Sequence, residues 1–435
     1  MLFASLILGS LIIAVPIATI FDGSIVHGVV LATTAVLLAS IAVRLRPADA
    51  TFVVSITRPV LMVAVIPVFW MVLQALPLNR LGLSNSIWES AASALGRPLN
   101  GSISIDPGAT ILSLTRYLSL VAIAFASAAV TVDRQRAEWV FFALAMAATL
   151  TAVLLSVTSM SNFGSLLNVG NTPPNNPAIT ALALGIILSA AGTLYNYKNA
   201  QTKSPRPTDR KSALHRPTFM PYVAALTICM AAFLLNATTQ HYFAVCMGLT
   251  VLVAAFAARR FSLGPWGISA VFSLVLFVAI SIIVVTYRDQ TVGLTLAFAP
   301  LNYGPLVNVT QRILSDAGWA GFGAGTFAAI LPIYRDINEL AIGCAPPTAA
   351  AAIGIEMGLP FFWVGLVATI ALVVTLLHGA LKRGRDSIYS VAGASCGAVV
   401  MLQEFCDASM FSTSVSIIVA VTAGMAIVQS KSRLR

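Results

Sequence analysis

Charge is scarce in this chain, so the places where it gathers are the places where chemistry is expected. Of 435 residues, 9% are charged and 58% hydrophobic. Arg288, Asp289, Arg312, Asp316, Arg335, Asp336, Glu339 and Glu356 nevertheless fall in one stretch, 287–356. Ionisable groups at the mouth of a bundle of membrane spans suit chemistry on a polar or anionic substrate. Arg116 stands apart, within the first turns of an apolar run. An arginine there costs on the order of 2.5 kcal/mol unless it snorkels to the interface or finds an anion.

Each candidate also has a structural reading. Glu356 at the start of a span would be favoured by that helix N-terminus. Arg312 and Asp316, at i and i+4, would form a local ion pair worth about 0.3–0.5 kcal/mol. Asn168, Asn171, Asn175 and Asn176 mingle with prolines ahead of an apolar run; they either shape a turn and a helix start or offer amide donors to a sugar or lipid phosphate. Gly321, Gly323 and Gly325 permit close backbone approach or positive φ.

Composition dictates the scaffold. A mean hydropathy of +0.91, with repeated apolar runs of about 18–25 residues that each match a hydrocarbon core of about 30 Å, gives an all-α polytopic membrane protein and excludes a soluble fold. Spans are expected at about 3–21, 24–43, 59–77, 110–132, 138–158, 176–196, 219–236, 242–258, 266–286, 357–380, 389–410 and 412–430, about twelve in all. The first run begins at Met1 without a basic flank or a small-residue cleavage site, so it is expected to remain as a span. Residues 78–109 contain an amphipathic stretch, Ile87–Leu95, whose Trp88 suits a membrane interface.

Basic residues set the orientation, because Lys and Arg accumulate in cytoplasmic loops. With both termini cytoplasmic, 19 of the 25 Lys and Arg residues lie inside. The exceptions are Arg80, Arg97, Arg116, Arg288, Arg312 and Arg335. Topology thus accounts for the net charge of +10, and no basic patch interleaved with aromatics points to nucleic acid. The polar, basic segment 197–217 is expected to link a six-span half, 1–196, to a second, 218–435, which holds the periplasmic loop 287–356 between spans nine and ten.

Five cysteines show no metal spacing and suit apolar packing. The four histidines are dispersed. No phosphate-binding glycine loop and no dinucleotide fingerprint occurs, so no cofactor and no metal is expected.

Several separated segments carry a family resemblance. LQALPLNRLGLSNSIWESAASALGRPLNGSISIDPGATILSLTRYLSLVAI, GNTPPNNPAITALALG, ILSDAGWAGFGAGTFAAILPIYRD, IEMGLPFFWVGLVATI and LQEFCDASMFSTSVSIIVAVTAGMAI, in that order and spacing, resemble the bacterial O-antigen ligase and O-antigen/exopolysaccharide polymerase superfamily. Asp407 stands at that family's usual acidic position. The resemblance implies a C-type glycosyltransferase-like fold in the bacterial inner membrane. Its substrate would be undecaprenyl-diphosphate-linked glycan, its partners membrane lipids and the flippase and chain-length regulator of the same pathway. The reaction would be a metal-independent, inverting glycosyl transfer.

Under that resemblance, arginines would hold the diphosphate bidentately and stabilise the leaving group. Arg116, Arg288, Arg312 and Arg335 are the candidates, with Asn175 and Asn176 as further substrate-binding residues. A base would deprotonate the acceptor hydroxyl. Where the family has His-Asn, this chain has Pro346 and Pro347, and where ligases place Ser-Arg it has Gln240-His241. His241 would supply an imidazole in its place, and Glu356 or Glu339 a carboxylate. Polymerisation is preferred, because the usual ligase histidine is missing. Ligation to lipid A-core, polysaccharide transport and a noncatalytic glycan-binding role stay open. Apart from the pair Glu404 and Asp407, the acidic groups outside the cytosol cluster at span ends and loops, which weighs against the transporter.

Overall fold

A computed structural model describes residues 1–21, 23–77, 82, 84–160, 177–203, 219–260, 294–296, 298–299, 304–335, 344–382 and 387–431. Among these residues all regular structure is helical, apart from one isolated β-bridge between Pro77 and Ser102. The helices are α1 Leu2–Ile13, α2 Val15–Ile20, α3 Ser24–Arg44, α4 Pro47–Ala75, α5 Ile87–Leu95, α6 Pro107–Val130, α7 Arg134–Met160, α8 Pro177–Lys203, α9 Phe219–Asn236, α10 Thr239–Arg260, α11 Gly304–Asp316, α12 Phe327–Tyr334, α13 Ala349–Glu356, α14 Leu359–Lys382, α15 Ser387–Cys406 and α16 Thr413–Ser430.

Eleven helical stretches among the described residues are long and apolar enough to cross a membrane, with α1 and α2 together making the first. They match eleven of the expected spans; the ninth, 266–286, lies outside the described residues. Three boundaries differ from expectation. The first span is interrupted at Ala14, because Pro16 has no N–H and its ring crowds the preceding turn. Helix α4 starts at Pro47 and incorporates Arg58, which the sequence places in a loop. Helix α8 runs on to Lys203, into the segment expected to be a linker.

Helices α8, α15 and α16 form the centre, and their small residues explain why. Ala181, Ala183, Ala191, Ala392, Ala394 and Ala426 are buried, and small side chains let helix backbones approach closely in lipid. Hydroxyl and amide groups tie these helices to their neighbours: Ser127 Oγ donates to the Val421 carbonyl at 2.8 Å, and Gln429 Nε2 to the Thr131 carbonyl at 2.6 Å.

The described part of 287–356 is not a bare loop. Leu306, Val309 and Ile313 of α11 pack with Phe327, Ile330 and Leu331 of α12 and with Ile355 of α13 in a hydrophobic cluster of their own. This cap unit sits at one end of the bundle, where Gln74 of α4, Ser104 ahead of α6 and Asp407 after α15 all meet it. The other end carries Arg134 with Glu138 at 3.1 Å, and Arg136 with Asp133.

Candidate functional site

Two polar clusters form where the cap unit meets the bundle. The first surrounds the glycine turn, 321–325. Phe322 N–H donates to the Ile355 carbonyl and Gly323 N–H to the Glu356 carbonyl, both at 2.9 Å, while Ile105 N–H donates to the Phe322 carbonyl. Gly323 and Gly325 have φ of +108° and +77°. Their Cα atoms press so closely on Ser104 and Ser113 that an added Cβ would collide with either serine hydroxyl. Both conformation and space demand glycine here.

Gln74 fastens the turn from below. Its buried amide donates to the carbonyls of Ala320 (2.8 Å) and Glu356 (2.9 Å) and accepts the Ala324 N–H (3.2 Å). All three bonds replace hydration that a buried amide cannot otherwise recover.

Glu356 does not occupy the start of a span, contrary to expectation. It is the last residue of α13, and Met357 and Gly358 separate it from α14. The break follows from Gly358, whose φ is +94°. Its carboxylate turns to a different helix. Oε2 accepts the Gly325 N–H at 2.7 Å and Oε1 the Phe327 N–H at 3.2 Å. Thr326, which precedes α12, donates its own hydroxyl to the Gly323 carbonyl, so Glu356 supplies the cap that α12 lacks. Burial pushes this carboxyl up to about 7, with the Gly325 and Phe327 hydrogen bonds opposing the rise.

Arg116 lies on α6 one turn beyond Ser113, the residue packed against Gly325. Its side chain is exposed, and no polar partner meets it among the described residues. Arg312 is exposed on α11, and Arg335 is the half-buried residue that ends α12. Asp316 bonds the Tyr334 hydroxyl; burial first, and then this bond, raise the phenol's pKa. That bond draws the C-terminal ends of α11 and α12 together. Arg288, Asn175 and Asn176 lie outside the described residues.

The second cluster gathers around His241, at the start of α10. Gln403 Nε2 lies 2.9 Å from His241 Nδ1 and donates to Asp407 Oδ2 at 3.2 Å. With that amide donating to both, His241 carries its proton on Nε2, 4.0 Å from Asp407 Oδ2. The Ser409 N–H and hydroxyl donate to Asp407 Oδ1 at 3.0 and 2.6 Å, and Thr180 of α8 shares a 2.6 Å hydrogen bond with Ser409. Burial pushes the Asp407 carboxyl up to about 6 despite its bonds to Ser409 and Gln403.

Helix α13 connects the clusters. Its first N–H, on Ala349, donates to the Asp407 carbonyl at 2.9 Å, while Glu356 ends it. At 1.5 Å per residue the two ends stand about 10 Å apart. His241 and Glu356 therefore belong to separate networks. Pro346 and Pro347 lead into Thr348, whose hydroxyl caps α13 by accepting the Ala351 N–H.

Gln74 and Gln403 are not among the residues that the sequence singles out. The signal they carry is an uncharged amide inside an apolar helix, which burial tolerates only with partners. No group of three or more His, Cys, Asp or Glu among the described residues is arranged to hold a metal.

The fold defines a multi-pass α-helical membrane protein with a packed helical cap at one end. Compared with known protein families and with curated proteins, the chain matches none.

Proposed function

We propose that this protein joins undecaprenyl-diphosphate-linked oligosaccharide repeat units into an exopolysaccharide or O-antigen at the periplasmic face of the bacterial inner membrane, with both termini cytoplasmic. The observation that carries this reading is Arg116: an exposed guanidinium without a polar partner among the described residues, one helical turn along α6 from Ser113, which packs against the glycine turn of the cap. A cation in that position suits an anionic group presented from lipid.

In this reading the acceptor hydroxyl attacks the anomeric carbon and the bond from that carbon to the diphosphate oxygen breaks. Arg116, with Arg312 and Arg335 of the cap, neutralises the departing diphosphate. His241 accepts the hydroxyl proton at Nδ1 once Gln403 releases that nitrogen, and Asp407 stabilises the resulting imidazolium. Glu356 serves the cap rather than the proton, since both of its oxygens are engaged by backbone N–H groups.

The test is chain extension in lipid nanodiscs with undecaprenyl-diphosphate oligosaccharide, comparing wild type with Arg116→Ala, Arg312→Ala and Arg335→Ala. Extension by wild type and its loss in Arg116→Ala supports a transferase. Transfer only when lipid A-core is supplied makes it a ligase. Binding without transfer makes it an accessory protein, the reading that Pro346 and Pro347 favour where the resembling family has His-Asn.

A further inference from the structure

One aromatic side chain of the cap faces outward. Trp319, in the turn that follows α11, leaves 63% of its surface exposed. Its ring lies 5.8 Å from that of Trp70, which in turn stacks on Phe361 at 6.5 Å. Trp70 belongs to α4 and Phe361 to α14, two of the membrane-crossing helices. The Trp70 indole N–H donates to the Met357 carbonyl at 3.0 Å, in the break between α13 and α14. The Trp319 backbone is fixed at the same level, because its carbonyl abuts Gly358.

The helices that carry Trp70 and Phe361 expose apolar side chains near the cap. Phe69, Val72 and Leu76 at the end of α4 and Trp363, Val364 and Val367 on α14 are all exposed large apolar residues. Trp70 stands five residues before the end of α4 and Phe361 two residues after the start of α14. Each therefore lies within about two helical turns of the end of its helix nearest the cap. Indole rings favour span ends, where an apolar body meets hydrocarbon and the N–H meets headgroups.

We propose that Trp319 inserts into the phospholipid interface and anchors the cap to the bilayer beside α4 and α14. The partner is the headgroup and upper acyl region of the lipid. Trp88 does not share this role: it is partly buried, and its indole N–H donates to the Ser104 carbonyl at 3.1 Å.

The experiment compares tryptophan fluorescence of the full-length protein and Trp319→Phe, both in phosphatidylcholine nanodiscs, with and without lipid brominated near the top of its acyl chains. The Trp319 contribution, taken as the difference between the two proteins, should lose most of its intensity with brominated lipid and resist aqueous iodide. Quenching by iodide with indifference to brominated lipid would overturn the proposal and put the ring in water, free for a sugar. A second variant, Trp319→Leu, keeps the apolar contact but not the indole. Hydrogen exchange in 304–335 should stay near wild type in Trp319→Leu and rise in Trp319→Asp; equal exchange in both would also overturn the anchor.

Discussion

Gln74 donates its side-chain amide to the Glu356 carbonyl at 2.9 Å, across 282 residues of sequence. Through that bond the third membrane-crossing helix grips the cap at the residue whose carboxylate orders the glycine turn. Gln74→Leu therefore leaves the Ala320 carbonyl and the Ala324 N–H without their partner, while the Glu356 carbonyl keeps the Gly323 N–H. The expected cost is about 2–4 kcal/mol, set by the desolvated groups left behind. Hydrogen exchange should rise in 304–335 and 349–356 and stay unchanged in α8 and α16. Uniform loosening of the bundle would show that Gln74 stabilises the spans rather than the cap.

Gly325→Ala should destabilise the cap by more than the roughly 1–2 kcal/mol of a left-handed backbone, because its Cβ also meets the Ser113 hydroxyl. Adding Ser113→Ala removes that contact and should recover part of the loss but not the backbone strain. Thermal unfolding of the single and double variants measures both parts. Complete recovery in the double variant would mean that φ at this position carries no cost.

Burial pushes the Glu356 carboxyl up from its ordinary value of 4.5 to about 7. Between those values the folded protein binds more protons than the unfolded one, so stability falls as pH rises through this window and levels off above it. A tenfold difference in proton affinity corresponds to about 1.4 kcal/mol, which limits the effect to about 3 kcal/mol. Melting temperatures from pH 5 to 8, compared with Glu356→Gln, isolate the contribution: the variant should lose this downward slope. An identical slope in both proteins assigns the titration elsewhere.

Gln403 holds Asp407 and lies against His241, so Gln403→Leu should alter the pH dependence of glycan extension as well as its rate. His241→Ala should lower extension while leaving binding of lipid-linked substrate intact. In the double variant the losses should not add, since both changes act on one ring. An unchanged pH profile in Gln403→Leu would remove the amide from any positioning role.

The helical character of the eleven described spans is legible in the sequence because hydrophobic length is a local property. A run long enough to cross hydrocarbon must satisfy its backbone internally, and the helix is how one chain segment does so. The same holds for α5, whose expected limits, Ile87–Leu95, are those observed. The glycines at 321, 323 and 325 also announce a backbone that other residues could not follow, and each has positive φ.

Partnership is not legible, since it depends on which span ends converge. The apolar pattern puts Glu356 at the start of α14, but Gly358 breaks the helix and the carboxylate caps α12 instead. His241 can be noted as an imidazole at a span end, yet only the packing of α8, α10 and α15 joins it through Gln403 to Asp407, Ser409 and Thr180. Apolar pattern by itself decides which segments enter the membrane. The buried polar side chains decide how they are arranged, because each must find its hydrogen-bond partner on another segment, and only the assembled bundle supplies it.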